Sequence, residues 1–454
     1  MVKFIHCADL HLDSPFKSRS YLSQSIFEDM QKSAYESFKK IVDLALNEEV
    51  DFMIIAGDLF DSHNRTLRAE VFLKEQFERL AKEQIFVYLC HGNHDPLSSS
   101  IGTEWPDNVS VFSENVETYQ TITKNGEEIY LHGFSYQNEA SYENKLDAYP
   151  SSQGQKGIHI GILHGTYSKT NTKDRYTEFR LEDLNNKLYH YWALGHIHER
   201  QQLSDMPQIH YPGNIQGRHF KETGEKGCLL IEGDDLHLNA KFVPTQFIRF
   251  EKAEIDTNMT SKQGLFDAIQ DFKSQVRAEG KAIYQLVVNV NSDEIISDQD
   301  LMQVHEMISE YEENEHNFVF IEDLNIKNKD DEKTTLVKEF SADLIEDNSV
   351  YELAMNDLYL NPKASKYLEN YDDFDRRELI KRAELLLKSD MRGSKMKIKS
   401  LDIYGYGRFI QRSIQFDENF TEIYGKMSQV SLRYRHLYIP FFLGFQLRKK
   451  MNHD

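Results

Sequence analysis

Cysteine is scarce in this chain of 454 residues: there are three, Cys7, Cys90 and Cys228. An odd, widely spaced set excludes a disulfide framework and predicts a reducing, cytoplasmic compartment. Cys7 and Cys90 lie in apolar, strand-like runs, where a free thiol serves as packing. Long apolar runs are also missing. The longest, residues 437–447, has about half the roughly 20 residues a membrane helix needs, and it contains Pro440 and Gln446. No membrane segment is expected. The amino-terminal run Phe4-Ile5-His6-Cys7-Ala8 is too short and too soon interrupted by charge to be a secretory signal. Positive charge is the third deficit, with a formal net charge of -21. That acidity is uneven, because residues 291–390 hold 27 acidic against 11 basic side chains. Carboxylates that sit beside bound cations invert the local electrostatics, so an acidic balance does not exclude nucleic acid. The length predicts two to four domains.

What the first half does contain is a series of buried strands with polar ends. Residues 2–8 read as a strand that ends in Asp9-Leu10-His11. A helical pattern over 27–46 follows, and then Phe52-Met53-Ile54-Ile55-Ala56 opens into Gly57-Asp58-Leu59-Phe60-Asp61. A second helical pattern leads to Ile85-Phe86-Val87-Tyr88-Leu89-Cys90 and Gly92-Asn93-His94-Asp95. Two later strands end in His164-Gly165 and in Gly195-His196-Ile197-His198. Strands alternating with helices predict βαβ units, whose ligand-binding side chains gather at the carboxyl ends of the strands.

Carboxylate, imidazole and amide together suit Mn²⁺, Fe²⁺ or Zn²⁺ better than Mg²⁺ or Ca²⁺. A pair of such ions about 3.5–4 Å apart needs a shared carboxylate, and a water between them ionises near neutral pH and attacks phosphorus in line. Asp58 is the natural bridge. His159, inside an apolar strand, reads as a core residue, and His210-Tyr211-Pro212-Gly213-Asn214-Ile215-Gln216 as a turn beside the site.

Asp9-x-His11, Gly57-Asp58-x-x-Asp61, Gly92-Asn93-His94-Asp95, Gly161-x-x-His164 and Gly195-His196-x-His198 resemble the five motifs of calcineurin-like metallophosphoesterases. The opening His6-Cys7-Ala8-Asp9-Leu10-His11-Leu12-Asp13 is similar to that of SbcD-like DNA exonucleases, especially the YhaO type. The resemblance implies an α/β fold: a calcineurin-like β-sandwich flanked by helices, then a small α+β capping domain and a helical C-terminal extension. It implies that Asp9, His11, Asp58 and His198 hold one ion and that Asp58, Asn93, His164 and His196 hold the other, with Mn²⁺ the expected metal. His94 resembles the family's catalytic histidine, which stabilises or protonates the departing oxygen, and Asp95 is expected to orient it. Asp61 stands where related nucleases often have His, and both a substrate contact and a supporting role behind the ligands stay open.

Cys228 to Ile231 and residues 236–242 read as a hairpin closing the first domain, so residues 1–245 form the expected nuclease domain. Strand, helix, strand, helix, strand follows within 246–335, the expected cap. Two amphipathic stretches within 336–395 are open to packing on the cap or docking on a partner's coiled coil, and the resemblance implies the partner ATPase for at least one of them. Residues 396–426 resemble the first strands of an SbcC-type ATPase head. Lys426 is followed by Met427-Ser428-Gln429, without the Gly-Lys-Ser/Thr of a phosphate loop, so ATP binding is not expected. Residues 396–454 are therefore read as the start of a neighbouring ATPase gene fused by readthrough, the tail from 427 being out of frame. The expected activity is two-metal hydrolysis of DNA at duplex ends, as an exonuclease in DNA repair with an SbcC-like ATPase partner; a homodimer is implied by the resemblance. The alternatives are a small-molecule phosphodiesterase or phosphatase on the same site, and a scaffold that binds DNA ends or the ATPase without cleaving.

Overall fold

Alternation of side chains along three short strands builds the first layer. In β1 (Val2–Cys7), β2 (Phe52–Ala56) and β3 (Phe86–Cys90), Phe4, Phe52, Ile54, Tyr88 and Cys90 face one way. Ile5, Cys7, Met53, Ile55, Val87 and Leu89 face the other way. A strand buried on both faces needs cover on both sides. Helices α1 (Gln24–Asn47) and α2 (Leu67–Lys82) supply one cover, through Phe38, Ile41, Val42, Leu73, Phe77 and Leu80. Ser23 and Thr66 cap them, accepting from Ile26 N and Ala69 N.

The other cover is a second sheet. After β4 (Val109–Val111) the chain forms β5 (Glu117–Ile122), β6 (Glu128–Gly133) and β7 (Ile158–His164). Short β8 (Thr166–Tyr167), β9 (Glu178–Phe179) and α3 (Leu181–Asn185) lead to β10 (Tyr191–Gly195), β11 (Gln201–Asp205) and β12 (Gln208–Tyr211). A closing hairpin, β13 (Gly227–Gly233) and β14 (Leu238–Pro244), returns to the first sheet beside β1. The two six-stranded sheets run β14-β13-β1-β2-β3-β4 and β11-β12-β10-β7-β6-β5. Their facing sides share one core, in which Phe4, Ile54 and Tyr88 meet Ile129, Leu131, Ile160, Ile162 and Ala193. The calcineurin-like sandwich with flanking helices is thus the fold observed. His6 ties the layers polar to polar: Nδ1 lies 2.9 Å from Tyr191 Oη and Nε2 3.1 Å from Leu194 O. Burial, then the neighbouring His210, pushes its pKa down to about 3.

Beyond β14 the order is β15 (Arg249–Thr257), α4 (Lys262–Val276), β16 (Ala282–Val290), α5 (Asp298–Glu310) and β17 (Val319–Asn328). Each strand-helix-strand crossover makes the next strand parallel, and β15-β16-β17 is a parallel sheet. One face packs on α4 and α5 through Leu265, Ile269, Val304 and Ile308. The other packs Phe250, Ile283, Phe318 and Phe320 on Ile26 and Met30 of α1. Lys273 Nζ and Glu312 Oε1 form a buried pair at 2.7 Å under the helices.

The structure is a computed structural model that describes residues 1–14, 16, 22–61, 65–99, 103–140, 145–168, 177–258, 261–290, 298–313 and 315–328, together with strand residues 400–406, 409–415, 422–423 and 432–433. Two compact units are Met1–Lys329 and Asp330–Asp454. In the second, β18 (Ser400–Tyr406) pairs antiparallel with β19 (Phe409–Gln415), and β20 (Glu422–Ile423) with β21 (Leu432–Arg433). The helices expected within 336–395 lie outside the described residues. Among the described residues no helix is long and apolar enough to cross a membrane.

Candidate metal centre

The strand ends meet at one edge of the sandwich, and the backbone there is unusual. Asp9, His11, Asp58 and His196 have φ of 53°, 44°, 53° and 100°. Non-glycine residues rarely adopt that region, at a cost of about 1–2 kcal/mol each, and such outliers cluster where function overrides local preference. The two loops that carry them brace each other. Asp9 N donates to Gly57 O at 3.0 Å, His11 N to Asp58 O at 3.1 Å and Leu12 N to Leu59 O at 3.0 Å.

Glycine precedes these ends for a reason of volume. A Cβ on Gly92 would stand 2.2 Å from Asp58 Oδ1 and 2.7 Å from His164 Nε2. One on Gly195 would stand 1.8 Å from Ala56 O, and one on Gly57, at φ +93°, 2.3 Å from His164 Nδ1.

Every residue expected as a ligand is drawn into this edge. His164 Nδ1 donates to Ala56 O at 2.9 Å, which turns Nε2 toward the site. That nitrogen points at Asn93 Oδ1, 3.0 Å away, and at Asp58 Oδ2, 3.4 Å away. His196 Nδ1 is 3.1 Å from the same Asn93 oxygen. On the other side His11 Nε2 and His198 Nε2 face each other at 3.0 Å, and His11 Nε2 is 3.8 Å from Asp58 Oδ2. Among the described residues two groups each bring their donor atoms within 4.8 Å of one another: Asp9, His11 and His198, and Asp9, Asp58 and His164.

These atoms fit a pair of cations. Among the described residues Asp58 Oδ2 and His11 Nδ1 are buried without a hydrogen-bond partner, and the ring nitrogens of His164 and His196 converge on one Asn93 oxygen. Burial raises Asp9 to about 6. Burial opposes ionisation of Asp58 as well, but His164 and His11 override it and hold the carboxyl well below the usual range. His164 goes the other way: burial pulls it down, but the neighbouring charge of Asp58, with that of Asp9, outweighs burial and raises the ring to about 9. A mixed nitrogen and oxygen set suits a borderline divalent ion. Asp58, with one oxygen between the two imidazole groups, has the position of a bridge.

His94 stands at the rim, its side chain 37% exposed. Its backbone N donates to Asp58 Oδ1 at 2.9 Å and its ring meets that of His11 edge-on at 5.1 Å. The carboxylate beside Nδ1 is Asp61, with Oδ1 at 3.5 Å, and this contact raises the imidazole pKa. The expected pairing of His94 with Asp95 is therefore corrected. Asp95 turns inward: it accepts from Gly92 N at 2.8 Å and Leu59 N at 2.9 Å, and its imidazole neighbour is His91 at 3.2 Å. Both carboxylate oxygens of Asp95 are thereby committed, Oδ1 to Gly92 N and Oδ2 to Leu59 N and His91. Asp95 thus joins the Asp58 loop to the Asn93 loop, and Asp61 supports His94.

Three further residues complete the rim, and no motif or spacing pointed to them. Glu222 Oε1 accepts from His198 Nδ1 at 2.7 Å, the arrangement in which an outer carboxylate orients an imidazole that could hold a metal ion. Arg218 grips Glu222, with Nη2 3.1 Å from Oε1, and extends Nη1 to Ser14 Oγ at 3.0 Å and Asp61 Oδ2 at 3.7 Å. Ser14 Oγ donates to Asp61 Oδ2 at 2.9 Å. His132 and His159, outside this edge, stack on each other at 5.2 Å.

Residues 2–226 match the family model described as calcineurin-like phosphoesterase. The chain is 37% identical over 399 residues to the Bacillus subtilis protein described as uncharacterized metallophosphoesterase YhaO, covering 86% of this chain and 98% of that protein. It is 26% identical over 283 residues to the DNA double-strand break repair protein Mre11 of Methanocaldococcus jannaschii, 59% of this chain and 72% of that one. With a nuclease SbcCD component of Staphylococcus epidermidis it shares 27% identity over 277 residues, 55% and 71% of the two chains.

Proposed function

The chain belongs to the calcineurin-like phosphoesterases, metal-dependent hydrolases of phosphoesters, and from that premise we propose that it hydrolyses DNA, from duplex ends, with two divalent ions. The observation that carries the two-ion reading is Asp58 Oδ2, buried, without a hydrogen-bond partner among the described residues and set between His164 Nε2 and His11 Nε2. In this reading Asp9, His11 and His198 hold one ion, Asn93, His164 and His196 hold the other, and Asp58 is shared. Divalent ions bound there, with Mn²⁺ proposed, would supply polarisation of the phosphoryl group and a lowered pKa of water. His94 keeps a proton on a ring raised by Asp61 and presents it to the departing oxygen. Asp61, itself held by Ser14 and Arg218, keeps that ring oriented.

The choice of DNA is supported by the relatives, one described as a double-strand break repair protein and one as part of a nuclease. The SbcCD name of one relative supports an SbcC-type protein as partner, and the parallel sheet of β15, β16 and β17 is proposed as the cap. End-labelled linear duplex, hairpin and single-stranded DNA, digested with Mn²⁺ beside a small phosphodiester, test the proposal. Shortening of the duplex from its ends supports it. Intact DNA with cleavage of the small ester overturns the substrate, and no cleavage of either overturns the catalysis.

A further inference from the structure

One stretch of chain holds His198 at both ends. Asn214 N and Lys226 Nζ donate to His198 O at 3.3 and 3.0 Å, while Glu222 takes the ring at Nδ1. Arg218, fastened to Glu222, carries the contact on to Ser14 and Asp61.

The same stretch is sewn to the entrance of β15, the first strand of the small parallel sheet. Gln216, 3% exposed, has both ends of its amide bonded there. Its Oε1 accepts from Phe247 N at 2.8 Å and Ile248 N at 3.2 Å and lies 3.0 Å from Ser37 Oγ of α1. Its Nε2 donates to Ile248 O at 2.6 Å and Gly217 O at 2.8 Å. Around it, the Phe220 ring meets Phe250 edge-on at 5.4 Å, and Gly224 N donates to Phe250 O at 3.2 Å. Thr245 N and Gln246 N both donate to Lys226 O. These contacts are direct, so displacement of β15 pulls on the chain between Gln216 and Lys226. The other donor group is anchored differently, with His164 Nδ1 on the carbonyl of Ala56 at the end of β2.

We propose that residues 214–226 couple the small parallel sheet to the ion site that contains His198, with Gln216 as the positioning residue that fastens the two. The proposal rests on the two-ion reading. Its consequence is an asymmetry: a load on the small sheet, such as a bound duplex, changes retention of the ion held by Asp9, His11 and His198, and spares the one held by Asn93, His164 and His196.

Gln216→Met keeps the volume and removes every amide hydrogen bond. In the full chain, stripped with chelator and titrated with Mn²⁺ by calorimetry, the wild type is expected to bind two ions. The variant is expected to bind one with wild-type affinity and the other about tenfold more weakly, the scale of losing an outer support of a ligand. At one equivalent of protein to two of Mn²⁺, the spin-coupled signal of an ion pair is expected to shrink in the same variant. General destabilisation would lower the melting temperature and leave the two affinities in their original ratio. Two unchanged affinities, or two affinities weakened together, overturn the coupling. A wild type that binds a single ion overturns the two-ion reading itself. Phe220→Leu, which loosens the same seam from its apolar side, gives the second arm if Gln216→Met does not fold: a selective loss at one ion supports the coupling, and an equal or absent effect overturns it.

Discussion

Gly92→Ala should empty the metal centre while leaving the fold in place. Gly92 does not occupy a left-handed conformation, so alanine brings no backbone strain there. All of the perturbation is the methyl group, which would sit 2.2 Å from Asp58 Oδ1 and 2.7 Å from His164 Nε2. An ordinary carbon–oxygen contact is about 3.3 Å, so the carboxylate must retreat by about 1 Å. It cannot retreat alone, because Oδ1 also accepts from His94 N at 2.9 Å. Overpacking of this kind costs about 1–3 kcal/mol of stability, whereas a misplacement of about 1 Å at a reacting centre costs about a hundredfold in rate. Thermal unfolding with and without Mn²⁺ separates the two effects. A ligand at a hundred times its dissociation constant stabilises the native state by about 2.7 kcal/mol. The wild type should show a metal-dependent rise in melting temperature, and Gly92→Ala should melt cooperatively, somewhat lower, with that rise abolished. Wild-type stabilisation by Mn²⁺ together with wild-type turnover in the variant would refute the assignment of Asp58 and His164 as ligands.

His164→Ala should lose bound metal and cleavage together, while His94→Ala should retain both ions, measured by elemental analysis, and lose turnover; normal hydrolysis by the His94 variant would remove it from the mechanism. Asp61→Asn tests the partner of His94. Asp61 raises that imidazole, so its neutralisation should let the ring deprotonate earlier and move the alkaline limb of kcat to lower pH; an unmoved limb would separate Asp61 from the proton. His132 is buried and held neutral, its pKa pushed down to about 3 by burial and then by His159. Its unfolded form binds a proton near pH 6.5, so stability present at pH 7 is lost as pH falls, by about 2 kcal/mol at pH 5 for a group still neutral in the native state. Denaturant titrations of the chelated protein at both pH values should show a smaller fall in His132→Gln, and an equal fall would assign the acid sensitivity elsewhere.

Much of the site is legible in the chain because its logic is local. A buried strand announces itself by an apolar run, and a glycine followed by Asp, His or Asn marks where that run ends. The glycines at 57, 92 and 195 also record a constraint that sequence displays without explaining, since each stands where a Cβ would enter His164, Asp58 or the carbonyl of Ala56. The second sheet was harder to see. Its inner face is made by Ile129, Leu131, Ile160, Ile162 and Ala193, from strands separated by long turns, and only the closed sandwich gives them a common direction.

What stayed hidden depends on contacts between distant parts of the chain. Glu222 reaches His198 across 24 positions, and Arg218 reaches Ser14 across 204. No period or dipeptide encodes such distances. Adjacency misled in the opposite sense at Asp95, which follows His94 in the chain but faces the amides of Gly92 and Leu59. The imidazole is served instead by Asp61, 33 residues earlier, because the loop after β2 folds over the rim on which His94 stands. Side chains that bind ions must sit at strand ends, where backbone direction is set by the sheet, and so they leave a regular trace. Side chains that support those ligands need only arrive from outside. They are recruited from whichever loop closes over the edge, and Gln216, Arg218 and Glu222 come from one loop that is also bound to the next sheet.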